Sequence, residues 1–112
     1  MSQITTHILD TTSGKPAEGV KISLKQLEAE TWKLLAWGYT NKDGRITDLL
    51  DKDVILPSGL YKLKFETKMY FDNLELKTFY PFIEITFEIA TAEHYHVPLL
   101  LNPFGYSTYR GS

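Results

Sequence analysis

The sequence predicts an all-β fold, a two-sheet antiparallel β-sandwich carrying one short helix, on three observations. Apolar and polar residues alternate with a period of two along most of the chain, the pattern of strands with one wet face. Gly and Pro clusters fall between these runs, where the chain needs turns. Only one short stretch carries a helical signature. Seven or eight short strands in about a hundred residues fit two packed sheets.

Taken in order, "ITTHILD" reads as a short strand closed by the polar "DTTSGKPAEG". In "VKISLKQL", Val20, Ile22 and Leu24 alternate with Lys21, Ser23 and Lys25. "TWKLLAWGYT" is a further strand whose inward face is less clear. "LYKLKFETKMY" sets Tyr61, Leu63 and Phe65 against Lys62, Lys64 and Glu66. "DNLELKT" predicts the helix: Asp72 followed by Glu75 makes a capping box, with Leu74 and Leu76 behind it. So short a helix must pack on a sheet to survive. In "FIEITFEIA", Ile83, Ile85, Phe87 and Ile89 point inward while Glu84, Thr86 and Glu88 point out. Turns are predicted at "SGKP" (13–16), "NKDG" (41–44) and "PSG" (57–59). The tail "YSTYRGS" follows the apolar "VPLLLNPFG" without a charged spacer and keeps two tyrosines, so it is expected to be ordered.

At 112 residues the whole chain, 1–112, is expected to be one domain, long enough to bury roughly two-thirds of its unfolded surface. It has no cysteine, so disulfide and thiolate chemistry are excluded and a reducing compartment is favoured. The opening "MSQITTHILD" lacks the basic-then-apolar form of a secretory signal. No apolar run approaches the roughly 20 residues that cross a bilayer. The net charge is -2, with basic residues scattered, which argues against a nucleic-acid-binding surface. A cytoplasmic protein, bound to neither membrane nor nucleic acid, is expected. Aromatic residues on both faces of "KMYF" and "KTFYPF" suggest that an edge or sheet face is buried in a homo-oligomer.

Four features could carry chemistry: His7, Arg45, the "HYH" of residues 94–96, and Arg110. Each has a plain alternative. His7 could be a half-buried strand histidine bonded to a hydroxyl, Arg45 a solvated turn residue, and "STYRGS" a loose end. His94 and His96 lie two apart, so on a strand both rings point the same way. With His7 they would supply three imidazoles, enough for a zinc site with an open position. Arg45 could instead offer a planar fork to an anionic or carbonyl-rich ligand.

Together, "THILDTTSGKPA", "TNKDGR" and "HYHVPLLLNPFGYSTYRGS", in that order and spacing, resemble the transthyretin-related family, the 5-hydroxyisourate hydrolases of purine breakdown. The likeness runs from Thr6 to Ser112, and a closing "YRGS" distinguishes those enzymes from the hormone carrier transthyretin. Residue by residue, the resemblance implies His7, Arg45 and His96 as catalytic groups. It implies Tyr109, Arg110, Gly111 and Ser112 as substrate-binding, and gives His94 no role. Asn102, before Pro103, stands where many relatives have serine.

The resemblance further implies a transthyretin-like sandwich assembled as a homotetramer, with active sites in a channel between dimers. The implied reaction opens the six-membered ring of 5-hydroxyisourate, a urate-oxidation product, without cofactor or metal. One neutral histidine would take a proton from water while the other orients water or protonates the departing nitrogen. Arg45 and Arg110 would stabilise charge growing on oxygen. Gly111 would let the tail turn tightly, and Ser112 would offer a hydroxyl and the terminal carboxylate. Alternatives of other classes are a non-enzymatic carrier of an apolar ligand and a zinc hydrolase.

Overall fold

The alternating runs form strands because each has one face that must leave water. A computed structural model describes residues 2–112. In chain order the elements are β1 (Ile4–Asp10), β2 (Lys15–Pro16), β3 (Lys21–Glu28), β4 (Thr31–Tyr39), β5 (Arg45–Ile46), β6 (Gly59–Phe65), α1 (Thr67–Asn73), β7 (Ile83–Ile89), β8 (Tyr95–Asn102) and β9 (Gly105–Thr108). One sheet has the order β2-β1-β8-β9, with β5 also pairing to β1; the other has the order β4-β3-β6-β7. The predicted sandwich is therefore present.

The core lies between the sheets. Ile4 and Ile8, Ile22 and Leu24, Tyr61, Leu63 and Phe65, and Leu99 and Leu101 are buried from four strands. Burying each such side chain contributes roughly 1.5–3 kcal/mol. A one-residue slip would turn the whole set outward, so the alternation fixes register. The expected face of β7 also holds: Ile83 and Ile89 are buried, Ile85 and Phe87 partly so, and the intervening residues are exposed.

Three features differ from the sequence expectation. Among the described residues nine strands form instead of seven or eight, because β2 and β5 are two-residue pieces that only complete the free edge of β1. The ladder between β1 and β8 is parallel, from Ile4 opposite Tyr95 to Asp10 opposite Leu101. These strands lie at opposite ends of the chain, so no hairpin forces them antiparallel.

The helix is also displaced. It occupies 67–73, where a continuation of the β6 strand was expected, and Asp72 sits in its last turn rather than at its cap. Thr67 and Phe71, four residues apart, are its buried pair, and they outweigh the capping-box pattern. Leu74 and Leu76, expected to anchor the helix, are exposed, and Glu75 has a positive φ of 58°. From α1, the Tyr70 hydroxyl donates to Asp10 Oδ2 at 2.7 Å, tying the helix to the end of β1.

The C-terminal segment is structured. β9 folds back on β8, Leu99 pairing with Thr108 and Asn102 with Gly105. Asn102 Oδ1 accepts from the Phe104 amide at 2.9 Å in the turn between them.

Candidate active site

Arg45 owes its position to the turn before it. Asn41 Oδ1 accepts from the amides of Asp43 (2.9 Å) and Arg45 (3.0 Å). Gly44 has φ +71°, and a Cβ there would stand 2.5 Å from the Ile8 carbonyl oxygen. Only glycine lets this turn lie on the β1 backbone. The result sets Arg45 opposite His7 in the β1–β5 ladder. The Arg45 side chain is exposed and forms no ion pair among the described residues.

The pleat supplies the rest. On β1, Ile4 and Ile8 face the core, so Thr5 and His7 share the opposite face. On β8, Tyr95, Val97 and Leu99 are buried, so His96 shares that outer face too. The parallel register sets His96 opposite Thr5. Thr5 Oγ1 lies 2.8 Å from His96 Nδ1 and 2.7 Å from His94 Nε2. The two imidazoles stack with centroids 6.3 Å apart.

Burial lowers the pKa of His7 from the ordinary 6.5, and the Arg45 charge lowers it further, against a weaker opposing effect of Asp43. His96 is lowered by burial first, then by Arg45, His94 and His7. Both rings are thereby held neutral at pH 7, as a base that accepts a proton from water requires.

The tail reaches this face. The Gly111 amide donates to the His96 carbonyl at 2.9 Å. A Cβ on Gly111 would stand 2.5 Å from His96 Cδ2 and 3.2 Å from Pro98 Cγ. Glycine is needed here for close approach to the His96 ring, a different reason from the tight turn expected. Gly111→Ala is expected to lower turnover by displacing that ring while leaving the melting temperature nearly unchanged. Steady-state kinetics beside a thermal melt checks this, and unaltered kcat would show that the contact is inert.

Two cavities meet at His96. One, of about 180 Å³, is lined by Thr5, Arg45, Thr47, His94, His96 and Ser112. The other, about 350 Å³, is lined by His96, Tyr109 and Arg110 with apolar residues such as Phe87 and Val97. The smaller holds the converging polar groups and is the better candidate for chemistry. Arg45, His96 and Ser112 line the smaller cavity; His7 and Gly111 line neither, His7 sharing the sheet face through its pairing with Arg45 and Gly111 through its contact with the His96 ring. Tyr109 and Arg110 border the neighbouring cavity: the Arg110 guanidinium sits 4.6 Å from the Tyr95 ring centroid and pairs with Glu93 at 2.6 Å.

Sequence reasoning missed Thr5, Thr47 and Glu93. Only the parity of Thr5 with His7 could have signalled the first. Among the described residues, no three His, Cys, Asp or Glu side chains are grouped to hold a metal ion. His94 and His96 share Thr5 instead of converging with His7.

In backbone the chain is similar to sea bream transthyretin, solved in complex with thyroxine, at 32% identity and a TM-score of 0.92 over 98% of this chain and 95% of that one. It is also similar to the solved Klebsiella pneumoniae 5-hydroxyisourate hydrolase, at 40% identity and a TM-score of 0.85 over 97% and 98%. In sequence it is 48% identical to the Salmonella dublin 5-hydroxyisourate hydrolase over 97% of this chain and 80% of its relative. The sequence profile of the HIUase/Transthyretin family matches residues 4–111. With nearly every residue matched, the chain belongs to the HIUase/Transthyretin family.

Proposed function

We propose that this protein is a 5-hydroxyisourate hydrolase, opening the six-membered ring of its substrate to give 2-oxo-4-hydroxy-4-carboxy-5-ureidoimidazoline. The observation that carries this reading is the gathering of His7, Arg45 and His96 on one outer sheet face, with Gly111 seated on His96. The names of the sequence relatives support it. Water oxygen bonds to the ring acyl carbon, and its proton passes to a neutral histidine. The carbon–nitrogen bond then breaks, and the departing nitrogen takes a proton from the His7–His96 pair. Arg45 stabilises the oxyanion, an interaction stronger in the transition state than with the bound substrate.

Tyr109, Arg110, Gly111 and Ser112 complete substrate binding, and the reaction uses no metal or cofactor. The working form is a homotetramer with its sites between dimers. Exposed Phe79, Phe104 and Tyr106 and the uncovered edges at β7 and β9 support assembly. The cysteine-free composition fits a cytoplasmic location.

Arg45→Lys keeps the charge but loses the planar fork, so catalytic efficiency should fall clearly if the substrate is held by paired hydrogen bonds. Near-normal efficiency would reduce Arg45 to a nearby charge, and full activity in Arg45→Ala would make it a solvated turn residue. The likeness to a thyroxine-bound transthyretin favours one other reading, a carrier. Catalysed decay of 5-hydroxyisourate, followed by ultraviolet absorbance, separates the two.

A further inference from the structure

Thr5 and His94 take no part in the chemistry above, yet a single hydroxyl joins both "HYH" rings. Thr5 is buried, and its Oγ1 lies within hydrogen-bond distance of His94 Nε2 and of His96 Nδ1. A threonine hydroxyl has one proton to donate, and a neutral imidazole has one donor and one acceptor nitrogen. The hydroxyl oxygen can accept from both rings, but its single proton can go to only one of them. If Thr5 donates to His94, it must accept from His96 Nδ1–H, which leaves His96 Nε2 bare and able to take a proton. If Thr5 donates to His96 Nδ1, the His96 proton sits on Nε2, which then cannot accept one.

We propose that Thr5 is a positioning residue that couples the tautomer of His96 to the protonation of the exposed His94. When His94 is protonated, both its nitrogens are donors. Its Nε2–H then donates to the Thr5 oxygen, so Thr5 can no longer donate to His94, and among the described residues His96 Nδ1 is left as the side-chain partner open to the Thr5 proton. Protonating an exposed residue thus favours the His96 tautomer whose Nε2 already carries a proton, with no movement of the backbone. With His94 neutral and its proton on Nδ1, Thr5 holds His96 in the basic tautomer.

The inference rests on reading His96 as the base of the proposed hydrolase. Other charged or titratable groups face this pair. His7 from β1 and Arg45 from β5 act on His96. Lys52, from the loop before β6, lines the hollow beside His94 together with Gln3. Glu93 precedes His94 but is held by Arg110. None of these bridges the two rings as Thr5 does.

The test combines nitrogen-15 NMR of the histidine rings with pH–rate profiles for wild type, Thr5→Val, Thr5→Ser and His94→Asn. In wild type, the neutral His96 ring should carry its proton on Nδ1 while His94 is neutral and shift toward Nε2–H when His94 is protonated. Thr5→Val should abolish that coupling, and Thr5→Ser should restore it. The acid limb of kcat/KM should lose one proton of dependence in Thr5→Val and in His94→Asn. In Thr5→Val, kcat should fall roughly tenfold, less than loss of the base itself, with KM little changed. His94→Asn, at an exposed position, keeps the test intact if the buried substitution misfolds. A His96 tautomer that ignores His94 protonation, or an acid limb identical in wild type and His94→Asn, overturns the coupling. Absence of hydrolysis by wild type would instead overturn the functional reading, and the ring spectra would still decide the coupling.

Discussion

His96→Asn and His7→Asn are each expected to reduce turnover by roughly two to four powers of ten, the usual span for lost acid–base catalysis. Folding and assembly should survive, because neither ring is fully buried and the hydrophobic core lies on the other face of both strands. The same change at His94 should cost far less, since the proposed reaction gives that exposed ring no proton to carry. An inactive His94→Asn beside an active His96→Asn would reverse the assignment within "HYH".

The pH dependence follows from the sign of the shifts. Both His7 and His96 lie below 6.5, so the neutral base persists somewhat below that pH, and activity falls as pH drops through the lowered values. Stability changes in the same direction. Unfolded histidines protonate near 6.5, while these folded rings resist protonation to lower pH. Their neutral burial therefore favours the fold fully above 6.5, and that contribution is lost as pH falls through the window beneath it.

Removing Arg110, Gly111 and Ser112 is the second large effect expected: a folded protein of unchanged assembly with little activity. Among the described residues, the deleted ones carry a backbone hydrogen bond from Gly111 to His96, an exposed ion pair of Arg110 with Glu93 and the stacking of Arg110 on Tyr95. A hydrogen bond is worth about 1 kcal/mol, so the melting temperature should drop by roughly 4–8 °C or less. Activity should suffer more, because the Gly111 backbone that packs on the His96 ring is gone and Ser112 no longer lines the smaller cavity. Size-exclusion chromatography, thermal melting and kinetics together check this. Loss of assembly would make the tail structural, and undiminished activity would leave it without a role.

How much was legible in the sequence depends on which force fixed each element. Ile22 and Leu24, Tyr61 to Phe65, and Ile83 to Ile89 were readable because burial on one face dictates alternation. The helix was misplaced because Asp72 and Glu75 give a local capping signal, whereas Thr67 and Phe71 are held by tertiary packing, which local pattern does not encode. The parallel pairing of β1 with β8 joins the two ends of the chain and leaves no turn signature. That pairing sets Thr5 against His96, so the hydroxyl bridge was hidden with it. Arg45 stood out through "NKDGR", whose Asn and Gly chemistry is local. The direction of Arg110, toward Glu93 and Tyr95, depends on the neighbouring loop and could not be read from "YRGS".

The central claim is that this sheet face hydrolyses 5-hydroxyisourate. The most direct measurement generates that compound from urate and follows its ultraviolet absorbance with and without the protein. The account predicts decay accelerated in proportion to protein concentration and returned nearly to the spontaneous rate by His96→Asn. Decay at the spontaneous rate with wild-type protein present would contradict it.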